Sequence, residues 1–152
     1  MRLILITIAI LTLLYGVESQ VGYIDQPSVN SFSLVIDRSG SMNGNPIEDA
    51  KKAAIHFIDE MRVGDQANII AFDDRVSVYA DLGDSKSKLK SAVSNINSGG
   101  STAFHDAIAK ASTLLYNEIG ARIIVFLTDG DDTGSKFSLR DIKNMNLSEI
   151  SL

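Results

Sequence analysis

The stretch Asp37-Arg38-Ser39-Gly40-Ser41 places three oxygen-bearing side chains at alternate positions: Asp37, Ser39 and Ser41. An apolar run, 32–36, precedes it, and Asn45-Pro46 follows it as a helix start. The segment is therefore predicted to be a tight loop that leaves a strand and enters a helix. Serine, aspartate and glycine also dominate ordinary turns. These residues alone are compatible with either a polar turn or a binding loop.

Two later segments carry similar oxygen-bearing side chains. The stretch "NSGGST" contains Ser101 and Thr102, and "TDGDDTGS" contains Asp129. Carboxylates and hydroxyls together would form an all-oxygen site, which suits a hard cation such as Mg²⁺, Mn²⁺ or Ca²⁺. A cation with few charged protein ligands could accept a further oxygen from outside, typically that of a carboxylate.

The elements that must position these side chains follow from hydrophobic periodicity. Apolar runs and alternation predict strands at Ser31–Ile36, Ala67–Phe72, Arg75–Ala80 and Arg122–Leu127. Helical spacing predicts four helices, which begin near Asn45 (the expected cap of the first), Ser85, Phe104 and Ser138. In the third strand, Val76, Val78 and Ala80 alternate with polar neighbours, which indicates one buried face and an antiparallel edge position.

This order predicts an α/β fold with a doubly wound, Rossmann-like, mostly parallel sheet and one antiparallel edge strand. In such sheets, ligands bind beyond the carboxyl ends of the strands, where the strand order reverses. Asp37 lies just past the first strand and Asp129 just past the strand 122–127. If these strands are neighbours, both carboxylates reach one crevice, with the Thr102 loop beside it.

The segments "DRSGSM", "GGST" and "TDGDD", in this order and on these elements, resemble the von Willebrand factor type A (VWA) domain over roughly residues 31–138. The resemblance implies a metal-ion-dependent adhesion site. Its ligands would be the hydroxyls of Ser39, Ser41 and Thr102, with Asp37 and Asp129 acting directly or through water. The bound cation would be Mg²⁺ or Mn²⁺, with Ca²⁺ as a further candidate.

The same resemblance implies a function. The chain would be a divalent-metal-dependent adhesion module, not an enzyme, whose cation engages an exposed carboxylate of a protein or extracellular-matrix ligand. The family's sheet continues with two more strand–helix steps after the "TDG" loop, whereas this sequence ends at Leu152. Residues 31–152 are therefore expected to be a partial VWA domain that lacks the last strands, with the strand 122–127 at an edge.

The first nineteen residues have the pattern of a secretory signal. Arg2 precedes an apolar run, Leu3–Tyr15, and small residues lie near Ser19. Residues 20–30 are polar and are predicted to be a linker. The mature chain is expected to be secreted, or periplasmic in a bacterium, without stable membrane insertion. An uncleaved anchor is the alternative.

Composition excludes several function classes. The 152 residues include 45% hydrophobic residues, carry a formal net charge of −5 and contain no cysteine. Disulfide scaffolds, zinc–cysteine sites and thiol catalysis are therefore excluded. No basic run with interleaved aromatic residues is present, so a nucleic-acid partner is not expected.

The residues leave two other functions to consider. In the first, the chain is a non-adhesive accessory or assembly module in which the metal is mainly structural. In the second, it is an enzyme, but a haloacid dehalogenase-type phosphotransferase needs an acid where Ser39 stands. An EF-hand loop starting at Asp129 would need a glutamate where Arg140 stands. No serine-hydrolase frame surrounds Ser39 or Ser41.

Asp131 and Asp132 are interpreted as solvated acids, and His105 is expected to make a polar contact at the start of the third helix.

Overall fold

A computed structural model describes residues 29–130, 132–145 and 150–151. The predicted signal segment and most of the predicted linker lie outside these residues. The strands are Asn30–Asp37 (β1), Gln66–Phe72 (β2), Val76–Ala80 (β3), Ala121–Leu127 (β4) and Ile150–Ser151 (β5). The α-helices are Asn45–Glu60 (α1), Lys86–Ser94 (α2), Phe104–Leu115 (α3) and Leu139–Asn144 (α4), and a short 3₁₀ turn, Gly40–Met42, precedes α1.

The strands form one sheet in the order β3-β2-β1-β4-β5. β1 pairs in parallel with both β2 and β4, and β3 pairs antiparallel with β2 at the edge. The predicted fold class is confirmed. From β1 the chain winds first towards β2 and later towards β4, so the strand order reverses between β1 and β4. This is the place at which doubly wound sheets bind ligands.

Helices cover both faces of the sheet. Leu34 and Ile36 of β1 pack with the buried side chains of α1 and α2, including Ile58 and Leu89. The alternate residue Val35 packs on the other face, against Ala107, Ala111 and Leu115 of α3. Because β1 is buried on both faces, its position is strongly constrained, and its carboxyl end is a rigid support for the loop that follows.

Two local expectations are wrong. The residue that caps α1 is Gly44, with φ +85° and no side-chain cap, and not Asn45. Val76, Val78 and Ala80 do not share one buried face. A register shift in the β2–β3 pair lets Ala80 pack beside α1 and α2 and Val76 on the α3 face, while Val78 is exposed. A bulge of this kind reverses the alternation of side chains.

The short strand β5 was not predicted. Ile150 and Ser151 pair in parallel with Arg122 and Ile123 of β4. We expected β4 to be an edge strand. Among the described residues, β5 pairs with it at Arg122 and Ile123, so only the residues of β4 after Ile123 form an open edge. No helix in the described part of the chain is long and apolar enough to cross a membrane.

Candidate metal-binding site

Asp37 is the last residue of β1, and its side chain is fully buried. One carboxylate oxygen, Oδ1, accepts a hydrogen bond from the Ser39 backbone N–H at 2.8 Å. The other, Oδ2, accepts one from the Thr128 hydroxyl at 2.6 Å. Thr128 directly follows β4, so this bond joins the carboxyl ends of the two neighbouring strands. Thr128 was not among the predicted site residues, although its position beside Asp129 was a signal for it.

A chain of side-chain oxygens continues from this point towards solvent. The hydroxyls of Ser39 and Ser41 lie 3.1 Å apart, and the Ser41 hydroxyl donates to Asp129 Oδ1 at 3.0 Å. Ser39 is buried, whereas Ser41 and Asp129 are exposed. The structure thus brings together four of the five predicted site residues, with Asp37 and Ser39 at the base and Ser41 and Asp129 at the mouth.

Thr102, the fifth predicted residue, lies on the adjacent loop and is buried. This loop is hydrogen-bonded to the loop after β1 at two places. The Gly40 N–H donates to the Gly100 carbonyl at 2.9 Å, and the Gly99 N–H donates to the Arg38 carbonyl at 2.6 Å. The 3₁₀ turn and the Thr102 loop are therefore held side by side by backbone hydrogen bonds.

A second buried aspartate, Asp73, lies just past β2 and has a basic partner. Its carboxylate forms an ion pair with Arg38, and its carbonyl accepts from the Ala103 N–H at 2.7 Å. Among the described residues, by contrast, no lysine or arginine side chain is ion-paired with Asp37 or Asp129. A buried carboxylate without a cationic partner is costly, and such a site favours the binding of a cation.

The loop after β4 folds against the start of α3. Asp132 Oδ1 accepts from the Phe104 N–H at 2.8 Å and from the Ser135 hydroxyl. His105 Nδ1 lies 3.2 Å from Asp132 Oδ2, which confirms the expected polar contact, although the two atoms are not aligned as a hydrogen bond. Asp132 is half-buried, so its interpretation as a solvated acid is wrong. Asp131 lies outside the described residues.

The pKa of Asp132 reflects these contacts. Burial raises the pKa, but the hydrogen bonds from the Ser135 hydroxyl and from the His105 and Phe104 N–H groups, together with the nearby His105 imidazole, lower it overall. Asp132 is therefore a carboxylate at neutral pH, with its charge facing the first turn of α3. A negative charge there is favourable because it complements the helix dipole.

The donor set decides which metals the site could take. The described residues contain no cluster of three or more histidine, cysteine, aspartate or glutamate side chains suited to a metal. The candidate ligands are instead two carboxylates and three hydroxyls. Oxygen-only sets of this kind fit Mg²⁺, Mn²⁺ or Ca²⁺.

Comparisons with known proteins agree with this architecture. The chain is 32% identical over 124 residues to inter-alpha-trypsin inhibitor heavy chain H4 from Homo sapiens. The matched region covers 73% of this chain and 13% of that relative. The chain thus spans a small part of the curated relatives that it matches.

Two solved structures share the fold. A von Willebrand factor type A protein from Catenulispora acidiphila has a TM-score of 0.71 at 23% identity, over 81% of this chain and 32% of that one. Proximal thread matrix protein 1 from the mussel byssus, solved with a zinc-occupied MIDAS motif, has a TM-score of 0.68 at 24% identity, over 81% and 34%. The sequence pattern of the von Willebrand factor type A domain matches residues 32–131, most of the chain, and the chain therefore belongs to the VWA domain family.

Proposed function

We propose that this chain is a divalent-metal-dependent binding module whose cation engages an acidic residue of a protein or extracellular-matrix ligand. The cation would be held by Asp37, Ser39, Ser41, Thr102 and Asp129. Mg²⁺ or Mn²⁺ suits this set best, and Ca²⁺ is a further candidate. When bound, the cation supplies a positive charge and an open position for an outside carboxylate.

The observation that carries the proposal is the convergence of these side-chain oxygens at the carboxyl ends of β1 and β4. In an octahedral site with metal–oxygen distances of about 2.0–2.1 Å, neighbouring ligand oxygens lie roughly 2.9 Å apart. The Ser39–Ser41 and Ser41–Asp129 oxygen pairs are 3.1 Å and 3.0 Å apart. These are hydrogen-bond distances, and they are also compatible with ligands of one small cation. Asp37 is buried at the base of this set, has no lysine or arginine ion-pair partner in the part of the chain that the structure describes, and would contribute its carboxylate to the cation.

The geometry favours binding over catalysis. Ser135, Asp132 and His105 are the residue types of a hydrolase triad, but the Ser135 hydroxyl donates to Asp132 and not to the imidazole. A nucleophilic serine needs its base as the direct hydrogen-bond partner. This set is instead a structural contact between a loop and a helix.

The N-terminal secretory pattern supports an extracellular place of action. A protein or matrix partner is also supported by the solved relative from the mussel byssus, which is named as a thread matrix protein. Because Ser41 and Asp129 are exposed while Asp37 and Ser39 are buried, a partner carboxylate would approach from the Ser41–Asp129 side.

Metal-linked stability tests the site. At a Mn²⁺ concentration about a hundred times Kd, binding should add about 2.7 kcal/mol to the free energy of unfolding. We expect the Tm of the full chain, measured by circular dichroism, to rise by roughly 5–10 °C relative to chelator. Asp37→Ala should abolish this rise. Asp49→Ala, which removes the same charge from an exposed position on α1, should keep it. A wild-type Tm that is the same in Mn²⁺ and in chelator would refute the proposal.

A carboxylate probe separates an adhesive site from a structural one. If the cation keeps an open position, acetate should displace its water and lower the water-proton relaxation rate of the Mn²⁺-loaded chain. Chloride at equal ionic strength is the control. A metal-linked rise in Tm without an acetate effect would favour the accessory module with a structural metal.

A further inference from the structure

Helix α3 begins without a cap of its own. Its N-cap residue is Ala103, which has no side-chain oxygen and makes no cap hydrogen bond. The first N–H groups of a helix have no acceptor within the helix and need one elsewhere. Here the acceptors come from the loop after β4. Asp132 Oδ1 accepts from the Phe104 N–H at 2.8 Å and from the His105 N–H at 3.4 Å.

Further hydrogen bonds join the same two segments. The Asp106 N–H donates to the Ser135 hydroxyl at 3.2 Å. In the opposite direction, Asp106 Oδ1 accepts from the N–H groups of Lys136 and Phe137 at 2.9 Å and 2.8 Å. We call the set of contacts between residues 132–137 and 102–106 the clasp. Each segment supplies acceptors for backbone N–H groups of the other, so these N–H groups lose their hydrogen-bond partners if the two segments separate.

The clasp also holds the backbone of Thr102. The Thr102 N–H donates to the Thr133 hydroxyl at 3.2 Å. The Thr102 carbonyl accepts from the N–H groups of Thr133 and Gly134, each at 2.9 Å. Both the N–H and the carbonyl of Thr102 are therefore hydrogen-bonded to residues 133–134 of the loop after β4. The two loops thus carry a candidate ligand each and are connected just beside those ligands.

We propose that Asp132 is a positioning residue for the cation site: by capping α3 from the loop after β4, it holds Thr102 and Asp129 at the separation that one cation needs. This inference rests on the proposed function. Asp132 lies three residues after Asp129 and touches none of the five candidate ligands in the described contacts. Its influence would pass through the clasp, in the way that outer hydrogen-bond partners orient metal ligands.

Two substitutions separate positioning from charge. Asp132→Ala removes both the acceptor oxygens and the charge, whereas Asp132→Asn removes the charge and keeps an acceptor oxygen for the α3 N–H groups. We expect Asp132→Ala to raise the Kd for Mn²⁺ by about tenfold or more, the range seen when outer partners of metal ligands are lost. Asp132→Asn should stay within about threefold of wild type, because the cap is retained. The Kd is measured by isothermal titration calorimetry of the full chain, well below each Tm.

Asp141→Ala is the matched control. Asp141 completes the capping box of α4, whose N-cap is Ser138, by accepting from the Ser138 N–H at 2.7 Å, so its loss weakens a helix start and removes a charge outside the clasp. It should lower the Tm and leave the Kd for Mn²⁺ unchanged. If Asp132→Ala does not fold, Thr133→Val replaces it, because this change removes the acceptor of the Thr102 N–H and should weaken Mn²⁺ binding in the same way.

The outcomes distinguish this inference from the function on which it rests. If wild type binds Mn²⁺ and Asp132→Ala binds it equally well, the positioning role is refuted while the metal site stands. If Asp132→Asn is as weak as Asp132→Ala, the residue acts through its charge and the positioning role is again refuted. A wild-type chain that binds no Mn²⁺ overturns the proposed function and this inference with it.

Discussion

Asp37 and Asp73 are buried aspartates at the carboxyl ends of adjacent strands, but they are stabilised differently. Asp73 is ion-paired with Arg38, whereas Asp37 is held by the Ser39 N–H and the Thr128 hydroxyl. Both arrangements satisfy a buried carboxylate, but only the first neutralises its charge within the protein. The second leaves the Asp37 carboxylate hydrogen-bonded but, among the described residues, without a basic partner, which suits the proposed cation site.

Gly100 lies where the Thr102 loop passes close to the Asp73 side chain. Its φ is +89°, and a Cβ there would lie 2.9 Å from the Asp73 Cβ. Gly100→Ala should therefore destabilise the fold and displace the loop. The control is Gly83→Ala, at φ +83° with open space around it. This change should lower the free energy of unfolding only by about 1–2 kcal/mol, the amount that alanine loses in a left-handed backbone conformation. Urea denaturation should show a larger loss for Gly100→Ala; equal losses would mean that the loop accommodates the methyl group.

At the scale of elements, the four α-helices of the described residues begin in two ways. α2 and α4 begin with their own serine caps, Ser85 and Ser138. α1 and α3 begin at Gly44 and Ala103, which provide no side-chain cap. Three of these helices follow candidate site loops: α1 and α3 lack a local cap, whereas α4, which follows the Asp129 loop, has one. Departures from local sequence rules are expected at functional sites, and for α3 the missing acceptors come from a distant loop.

The starts of β1 and β2 are joined by Asp65. Its carboxylate accepts from the Asn30 N–H at 3.1 Å and from the Arg62 N–H at 3.0 Å. Burial raises the pKa of Asp65, but these bonds and the Arg62 guanidinium lower it overall. A carboxyl whose pKa is lower in the folded state stabilises the protein above its unfolded pKa of about 3.9, and this contribution is lost as the pH falls towards the folded value.

Asp65→Asn should therefore lower stability near neutral pH and reduce the loss of stability on acidification. Urea denaturation in chelator at about pH 7 and about pH 3 measures both effects. The exposed Asp49→Asn is the control, and it should retain the acid dependence of wild type. An unchanged acid dependence in Asp65→Asn would contradict the role assigned to this carboxylate.

At the scale of the whole molecule, the two helical layers share one sheet. Ile58 of α1 and Leu115 of α3 are each fully buried, on opposite faces of β1 and β2. Because these strands belong to both layers, neither layer can unfold without exposing the sheet. The candidate site lies at the carboxyl edge of this shared sheet, beside the ends of β1 and β4.

Ile58→Ala and Leu115→Ala should each cost about 2–5 kcal/mol, and each should shift a single unfolding transition. Urea denaturation followed by circular dichroism measures the midpoint and the slope. Val63→Ala, at an exposed position, should leave both nearly unchanged. Two separate transitions in either core variant would mean that the layers unfold independently.

The sequence by itself determined the order of the four helices and of the first four strands, the α/β class and the antiparallel edge strand. These features depend on local periodicity, which any short window of residues contains. The five candidate ligands were also identifiable from sequence, since their loops follow the ends of strands and carry residue types that bind cations.

Only the tertiary structure decided how distant segments satisfy each other. The Thr128–Asp37 bond, the cap that Asp132 provides for α3, the bulge opposite Ile69 and Ile70 and the pairing of β5 with β4 each join residues that no local pattern connects. Asp132 was misinterpreted from sequence because a loop acid has the same local pattern whether it meets water or a helix start. Its role depends on where two loops converge, and that convergence is fixed by the packing of α3 and β4 on the shared sheet.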